Sequence, residues 1–245
     1  MKNYKLKIQY DGTRYNGWQR QGNTKNTIQE RFENVLLRMY GKPIEIFASG
    51  RTDAGVHANG QIANFKCQTD MSCVEIKDYL NQYLPEDVVV ASVEEVGERF
   101  HSRLNAVSKT YEYRIAVTKP DVFIRKYVFA ANQVPDVDKM QNAAKLILGT
   151  HDFKGFSSVK RTKKSTVRTI NFIDISDKDG IISIKINGSG FLYNMVRIIS
   201  GTLFEIGIGK LDEAAITRVF EEKKRENAGA TLPACGLTLM EVFYQ

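Results

Sequence analysis

Over residues 2–96 the hydrophobic period switches between that of a strand and that of a helix, in an order that few folds accommodate. "YKLKIQY" alternates apolar and polar residues, as a half-buried strand does. "TIQERFENVLLRMYG" then sets apolar residues at 28, 32, 35, 36 and 39 on one helical face, with Thr27 and Glu30 as a capping box. "IEIFAS" and "GQIANFK" read as strands, "CVEIKDYLNQYL" as a helix and "DVVVASVEEV" as a strand. Strand, helix, strand, strand, helix, strand is the split-βαβ arrangement.

From about residue 98 the pattern returns in looser form. "KTYEYRIAV" is a strand and "DVDKMQNAAKLILG" a helix, while "VRTINFIDIS" and "IISIKING" form a hairpin around residues 177–180. An apolar helix from about 191, an amphipathic helix "DEAAITRVFEEKK" and a last strand "GLTLMEVFY" follow. The expectation is two α/β halves, 1–97 and 98–245, with their sheets side by side and a cleft between them, the usual place for a site.

At 245 residues, 42% hydrophobic and 26% charged, the composition is that of an ordinary globular protein. A net charge of +7 leans toward a polyanionic partner. Cys67, Cys73 and Cys235 form neither a CxxC pair nor an even set, which fits free thiols in a reducing, cytoplasmic setting. "MKNYKLKIQYDG" lacks the apolar core of a signal peptide. The longest apolar run, "FLYNMVRIISGTLFEIGIG", carries Arg197 and Glu205 and falls short of the ~20 residues of a membrane span.

Few residues offer chemistry. "ASGRTDAGVHANGQ" sets Asp53 among glycines 50, 55 and 60, in a loop between two strands. A lone Asp there is most simply an Asx turn, but the flanking strands would hold it still. Asp53 and His57 are four apart, yet His101 and His151 stand alone and no cysteine groups with them, too few ligands for zinc. No GxSxG elbow or Walker A sequence occurs, and "GSGF" is too short for a dinucleotide fingerprint. Arg197 is the only charge between Gly190 and Phe204; it either snorkels to the surface or pairs with a carboxylate such as Asp53. "SVKRTKKSTVR" holds Lys160, Arg161, Lys163, Lys164 and Arg168 without an acid, whereas "EEKKRE" at 221–226 is balanced and reads as a solvated helix face. Tyr111 and Tyr113 alternate with Lys109 and Arg114 on one strand, a pattern that serves either cross-strand packing or stacking on unpaired bases.

Five segments in order, "YDGTRYNGWQRQ", "GRTDAGVHANGQ", "FHSRLNAVSKTYEYRI", "FLYNMVRIISGTL" and "LPACGLTLMEV", resemble the TruA family of tRNA pseudouridine synthases. They run from Tyr10 to Val242, nearly the whole chain. Departures are small: Leu232 stands where alanine is common, and Asn59 and Thr238 are unusual choices that bear on RNA preference. The resemblance implies the pseudouridine synthase fold, of α/β (α+β) class, with two RRM-like split-βαβ halves whose mostly antiparallel sheets join around a central cleft. It implies Asp53 as the catalytic nucleophile and Tyr111 stacked on the target uracil. Arg51 would hold the flipped-out nucleotide or the gap it leaves, Arg197 would pair with the catalytic carboxylate, and Leu237 would line the uracil pocket. It implies a cytoplasmic homodimer that binds the anticodon arm of tRNA and modifies uridines at tRNA positions 38–40, with no cofactor, no metal and no membrane.

The chemistry suits a single carboxylate. Carboxylates near an anomeric carbon stabilise or attack oxocarbenium-like charge, as in glycosidases, and a delocalised uracil anion leaves without a second carboxyl. Asp53 could act at C1′, at C6 or on a ribose proton; the sequence does not choose. Tyr111 is the nearest candidate for removing the C5 proton. The glycines would let RNA backbone approach, and the basic cluster Lys160, Arg161, Lys163 and Lys164 would meet phosphates. The rivals are the same reaction on ribosomal RNA and a non-catalytic RNA-binding module, though the RNP pattern "[KR]G[FY][GA]F" is absent.

Overall fold

The structure, a computed structural model, describes residues 1–160 and 162–245. They form two compact units, one of Met1–Val107 with Leu239–Gln245, the other of Ser108–Thr238.

The first unit runs β1 (Lys2–Tyr10), α1 (Ile28–Tyr40), β2 (Ile46–Ala48), β3 (His57–Cys67), α2 (Cys73–Tyr83) and β4 (Val88–Val96). β1 lies between β3 and β4 and is antiparallel to both, with Leu6 opposite Ala63 on one side and Val93 on the other. β2 is antiparallel to β3, so β1 and β2 are parallel with β3 between them, the split-βαβ pairing expected from the order of periods. The apolar stripe of α1 is buried at Ile28, Phe32, Val35 and Leu36 and half-buried at Met39. Thr27 caps the Glu30 N–H, but the Glu30 carboxylate pairs with Arg20 at 3.1 Å. The full reciprocal box is found instead at α2, between Ser72 and Glu75. Leu6, Ile8 and Phe65 of the sheet and Ile76 and Leu80 of α2 are fully buried. At ~25 cal/mol per Å² of apolar surface, each such side chain contributes about 1.5–3 kcal/mol against chain entropy.

The second unit contains most of β5 (Ala106–Ala116), then β6 (Phe129–Ala130), α3 (Val137–Lys145), β7 (Gly149–Asp152), β8 (Val167–Lys178), β9 (Ile181–Gly188), α4 (Met195–Gly207) and α5 (Ala214–Glu222). Its sheet runs β5-β9-β8-β7 with antiparallel neighbours, and short β6 lies parallel to the end of β5. The hairpin turns at Asp179 and Gly180, both at positive φ, the two-residue turn whose twist matches its strands. Three details depart from the sequence reading. β6 and β7 are strands where none was expected, α3 stops at Lys145 before β7 opens at Gly149, and α4 begins at Met195 because Asn194 sits at φ 62°. The chain ends in β10 (Leu237–Tyr244), whose last residues return to the first unit beside β3. Among the described residues, no helix is long and apolar enough to cross a membrane.

Candidate functional site

Asp53 sits in the 49–56 loop that leads from β2 into β3, and other segments of its unit hold that loop in place. The Ser49 hydroxyl donates to Gln61 Oε1 at 2.7 Å, and Gln61 Nε2 donates to the Gly50 carbonyl at 2.9 Å. The Trp18 N–H donates to the Thr52 carbonyl at 3.0 Å, and the Thr52 hydroxyl shares a 2.7 Å hydrogen bond with the Tyr10 hydroxyl. The Gly55 N–H reaches the Tyr15 carbonyl at 3.3 Å, and the Val56 N–H closes a turn on the Asp53 carbonyl at 3.1 Å. Thr52 is buried, Asp53 half-buried and Arg51 exposed, so the loop hides its supports and presents its charges.

Two glycines let the supporting segment come this close. At Gly17 (φ 89°) a Cβ would lie 2.7 Å from the Thr52 carbonyl oxygen, and at Gly12 it would lie 1.9 Å from that of Val56. Trp18, 2% exposed, packs its indole on the Phe32 ring and anchors the segment to α1. The "YDGTRYNGW" stretch carries no chemistry of its own in the sequence; its glycine spacing is the one signal of this bracing task. Two further glycines near Asp53, Gly55 in the loop and Gly60 in β3, have tasks in the fold. Gly55 supplies a positive φ of 78°, and a Cβ at Gly60 would meet the Met240 carbonyl of β10 at 2.2 Å. Burial pushes the Tyr10 hydroxyl up to about 12, against the opposing effect of its hydrogen bonds to Thr52 and Gln61.

Asp53 and His57 do not share a helical face, because His57 opens β3. The His57 Nδ1 accepts the Gly12 N–H at 3.1 Å. Among the described residues, no three His, Cys, Asp or Glu side chains are grouped to hold a metal ion.

In the second unit, Tyr111 stands on β5 opposite Ile186, is 9% exposed and meets Phe191 edge to face at 5.1 Å between centroids. Its neighbour Tyr113 is a core residue and no stacking platform. It is fully buried, its hydroxyl donates to the Pro233 carbonyl at 2.7 Å, and burial raises its pKa far above the usual range. Gly236 makes room for that ring, since a Cβ there would lie 2.7 Å from it. The 233–236 turn is thereby fixed to β5, and buried Leu237 follows it.

Arg197 is the one residue of α4 that is not buried. It does not trail into solvent: Nε donates to the Leu232 carbonyl at 2.7 Å and an Nη to Asn194 Oδ1 at 2.8 Å. Asn194 in turn donates to the Ser158 hydroxyl at 3.0 Å. The Leu232 carbonyl is in reach because its segment lies flat on α4. A Cβ at Gly201 would overlap the Ala230 carbonyl at 1.9 Å, and the Gly229 N–H donates to the Thr202 hydroxyl at 2.9 Å. Asn194 was missed from sequence; its place three residues before Arg197 was the only hint. Lys160, Lys163 and Lys164 are exposed, and Arg161 lies outside the described residues.

The model of the tRNA pseudouridine synthase family matches residues 7–105 and 143–245. A tRNA pseudouridine synthase A 2 from Bacillus cereus is 49% identical over 99% of both chains. A tRNA pseudouridine synthase A from a Bacillus species is 50% identical over 94% of both. A tRNA pseudouridine synthase A 1 from Clostridium tetani is 46% identical over the full length of both. Among solved structures, a chain in the crystal structure of a Cbf5-Nop10-Gar1 complex aligns at 10% identity and a TM-score of 0.41, over 96% of this chain and 48% of its own.

Proposed function

This chain belongs to the tRNA pseudouridine synthase family, and on that premise we propose that it isomerises uridine in the anticodon stem-loop of tRNA, with Asp53 as nucleophile and no cofactor. The reaction exchanges the N1–C1′ bond for a C5–C1′ bond, and the hydrogen lost from C5 is balanced by one gained at N1. No atom or electron is left over, so the chemistry requires no redox partner. The observation that carries the reading is the Asp53 loop: a half-buried carboxylate in a loop tied to β1 through the Thr52 hydroxyl, and to the 15–18 segment and β3 through backbone groups of Gly50, Thr52 and Gly55. A catalytic carboxylate must be presented in one geometry, because misplacement by about 1 Å removes roughly two orders of magnitude in rate.

The other roles follow from the family resemblance and from the chemistry each side chain has. The target nucleotide leaves its stack before its glycosidic bond is accessible, and Arg51, exposed beside Asp53, meets a phosphate or the vacated space. Tyr111 stacks on the uracil, and its hydroxyl is the nearest candidate to take the C5 proton. Leu237 gives the base an apolar wall. Arg197 keeps the catalytic carboxylate ionised through the turnover, and its two fixed hydrogen bonds support a single guanidinium orientation. The basic run Lys160, Arg161, Lys163 and Lys164 lends positive charge to the phosphate-binding surface. The working form is a homodimer in the cytoplasm; the free thiols at Cys67, Cys73 and Cys235 fit a reducing compartment.

Mapping of pseudouridines by carbodiimide primer extension, in a strain lacking the protein and in its complemented parent, tests the substrate. Loss confined to the anticodon arm of tRNA is expected. Loss confined to ribosomal RNA would reject the tRNA assignment.

A further inference from the structure

The 152–157 turn packs against the end of α5 because residue 155 is glycine. A Cβ there would lie 2.7 Å from a Val219 methyl and 2.9 Å from the Val219 carbonyl oxygen. The close approach sets Lys223, which caps α5 at φ 55°, beside Asp152, with Nζ 2.9 Å from Oδ2. Asp152 Oδ1 accepts the Thr166 hydroxyl at 2.5 Å and the Lys154 N–H at 3.1 Å. Burial pushes this carboxyl up, but Thr166, Lys223 and the Lys154 N–H outweigh it and hold the group below the usual carboxylate range. Asp152 is therefore ionised at neutral pH with both oxygens engaged.

Around it, Lys154, Lys160, Lys164 and Lys223 line one cleft of about 450 Å³. Four lysines and one carboxylate, already paired with Lys223, line the cleft, which leaves an excess of three positive charges. Among the described residues, nothing pairs with the ammonium of Lys154, Lys160 or Lys164. Val159 is the one apolar side chain in the lining, so the cleft offers little to a lipid chain or an apolar peptide. Lys163, in the same basic run, is exposed outside the lining. Lysine acts as a flexible point charge toward phosphate, and several around a partly enclosed space select an anion over solvent.

We infer that this cleft seats a backbone phosphate of the substrate RNA, held by Lys154, Lys160, Lys164 and Lys223, with Asp152 as the positioning residue that fixes Lys223. The inference rests on the tRNA reading given above. It adds Lys154 and Lys223 to the direct phosphate contacts and leaves Lys163 to contribute charge without a contact of its own.

The test is filter binding of an unmodified tRNA transcript from about 50 to about 200 mM salt, with wild type, Lys154→Ala/Lys164→Ala and Lys163→Ala. One lost phosphate contact lowers the slope of log K against log[salt] by about 0.7–0.9, or roughly a threefold smaller loss of affinity across that range. The double variant is expected to show that drop, and Lys163→Ala to keep the wild-type slope. An unchanged slope in the double variant overturns the seat. Equal drops in both variants also overturn it, because they indicate diffuse charge and no defined cleft. Wild type that neither binds tRNA nor modifies it would instead reject the tRNA reading, so the two failures are distinguishable.

Discussion

The backbone N–H of Trp18 donates to the carbonyl oxygen of Thr52 at 3.0 Å, one residue before Asp53. Two motifs far apart in the sequence are one structural object: the first supplies a brace, the second the carboxylate it holds. Trp18 is anchored by its buried indole, so the position of Asp53 is set by packing in its unit as well as by local turn chemistry.

Gly17→Ala tests the brace. At φ 89° a Cβ is strained, and it would also stand 2.7 Å from the Thr52 carbonyl oxygen. Urea unfolding should show a loss of about 1–3 kcal/mol, and kcat should fall roughly a hundredfold through displacement of the loop. Gly22→Ala is the control: nothing lies within 4 Å of its Cβ and no positive φ is involved. It should stay within about 0.5 kcal/mol of wild type.

Tyr10→Phe tests the buried hydroxyl under the loop through its pH dependence. Burial raises the Tyr10 pKa from 10.0 to about 12 in the folded chain, with the hydrogen bonds to Thr52 and Gln61 opposing. A raised pKa contributes stability that is fully present below pH 10 and is lost as pH rises toward 12, because the unfolded chain releases its proton first. A two-unit shift corresponds to about 2–3 kcal/mol. Between pH 9 and pH 12 the wild type should therefore lose more stability than Tyr10→Phe by roughly that amount. Parallel curves for the two proteins would mean that Tyr10 is not shielded as described.

What the sequence made legible and what it did not follow one physical line. The period of hydrophobic residues depends on near neighbours, so α1, α2 and the β8–β9 hairpin were readable, as was the placement of Asp53 in a loop between strands. Contacts between distant segments carry no local signature. The fit of Gly17 under Thr52, the docking of Ala230 on Gly201 and the pairing of Lys223 with Asp152 therefore appear only in three dimensions. The 221–226 run shows the consequence: balanced in sequence, it nonetheless delivers Lys223 to a basic cleft. Asn194 shows another, since its positive φ cut short a helix that composition alone would have started earlier.

Arg197→Met separates catalysis from binding. Under the proposed role, turnover should fall by about two to three orders of magnitude, the usual loss when a positioned electrostatic partner is removed. tRNA affinity should change little. Loss of the donors to Leu232 and Asn194 should lower stability by about 1–3 kcal/mol. Arg197→Lys should recover part of the turnover by restoring the charge. A variant that fails to bind tRNA, yet reacts normally once bound, would show that Arg197 serves phosphate recognition.

Asp53→Asn tests the central claim most directly. The loop is held through the backbone of Gly50, Thr52, Asp53 and Gly55 and through the Ser49 and Thr52 hydroxyls, and the amide that replaces the carboxylate has its shape. The variant should unfold and bind tRNA as wild type does. The measurement is tritium release from 5-tritiated uridine in tRNA under single turnover. Loss of several orders of magnitude is expected, because the amide is neither anionic nor nucleophilic. Release within about tenfold of wild type would contradict the assignment of Asp53 as the nucleophile.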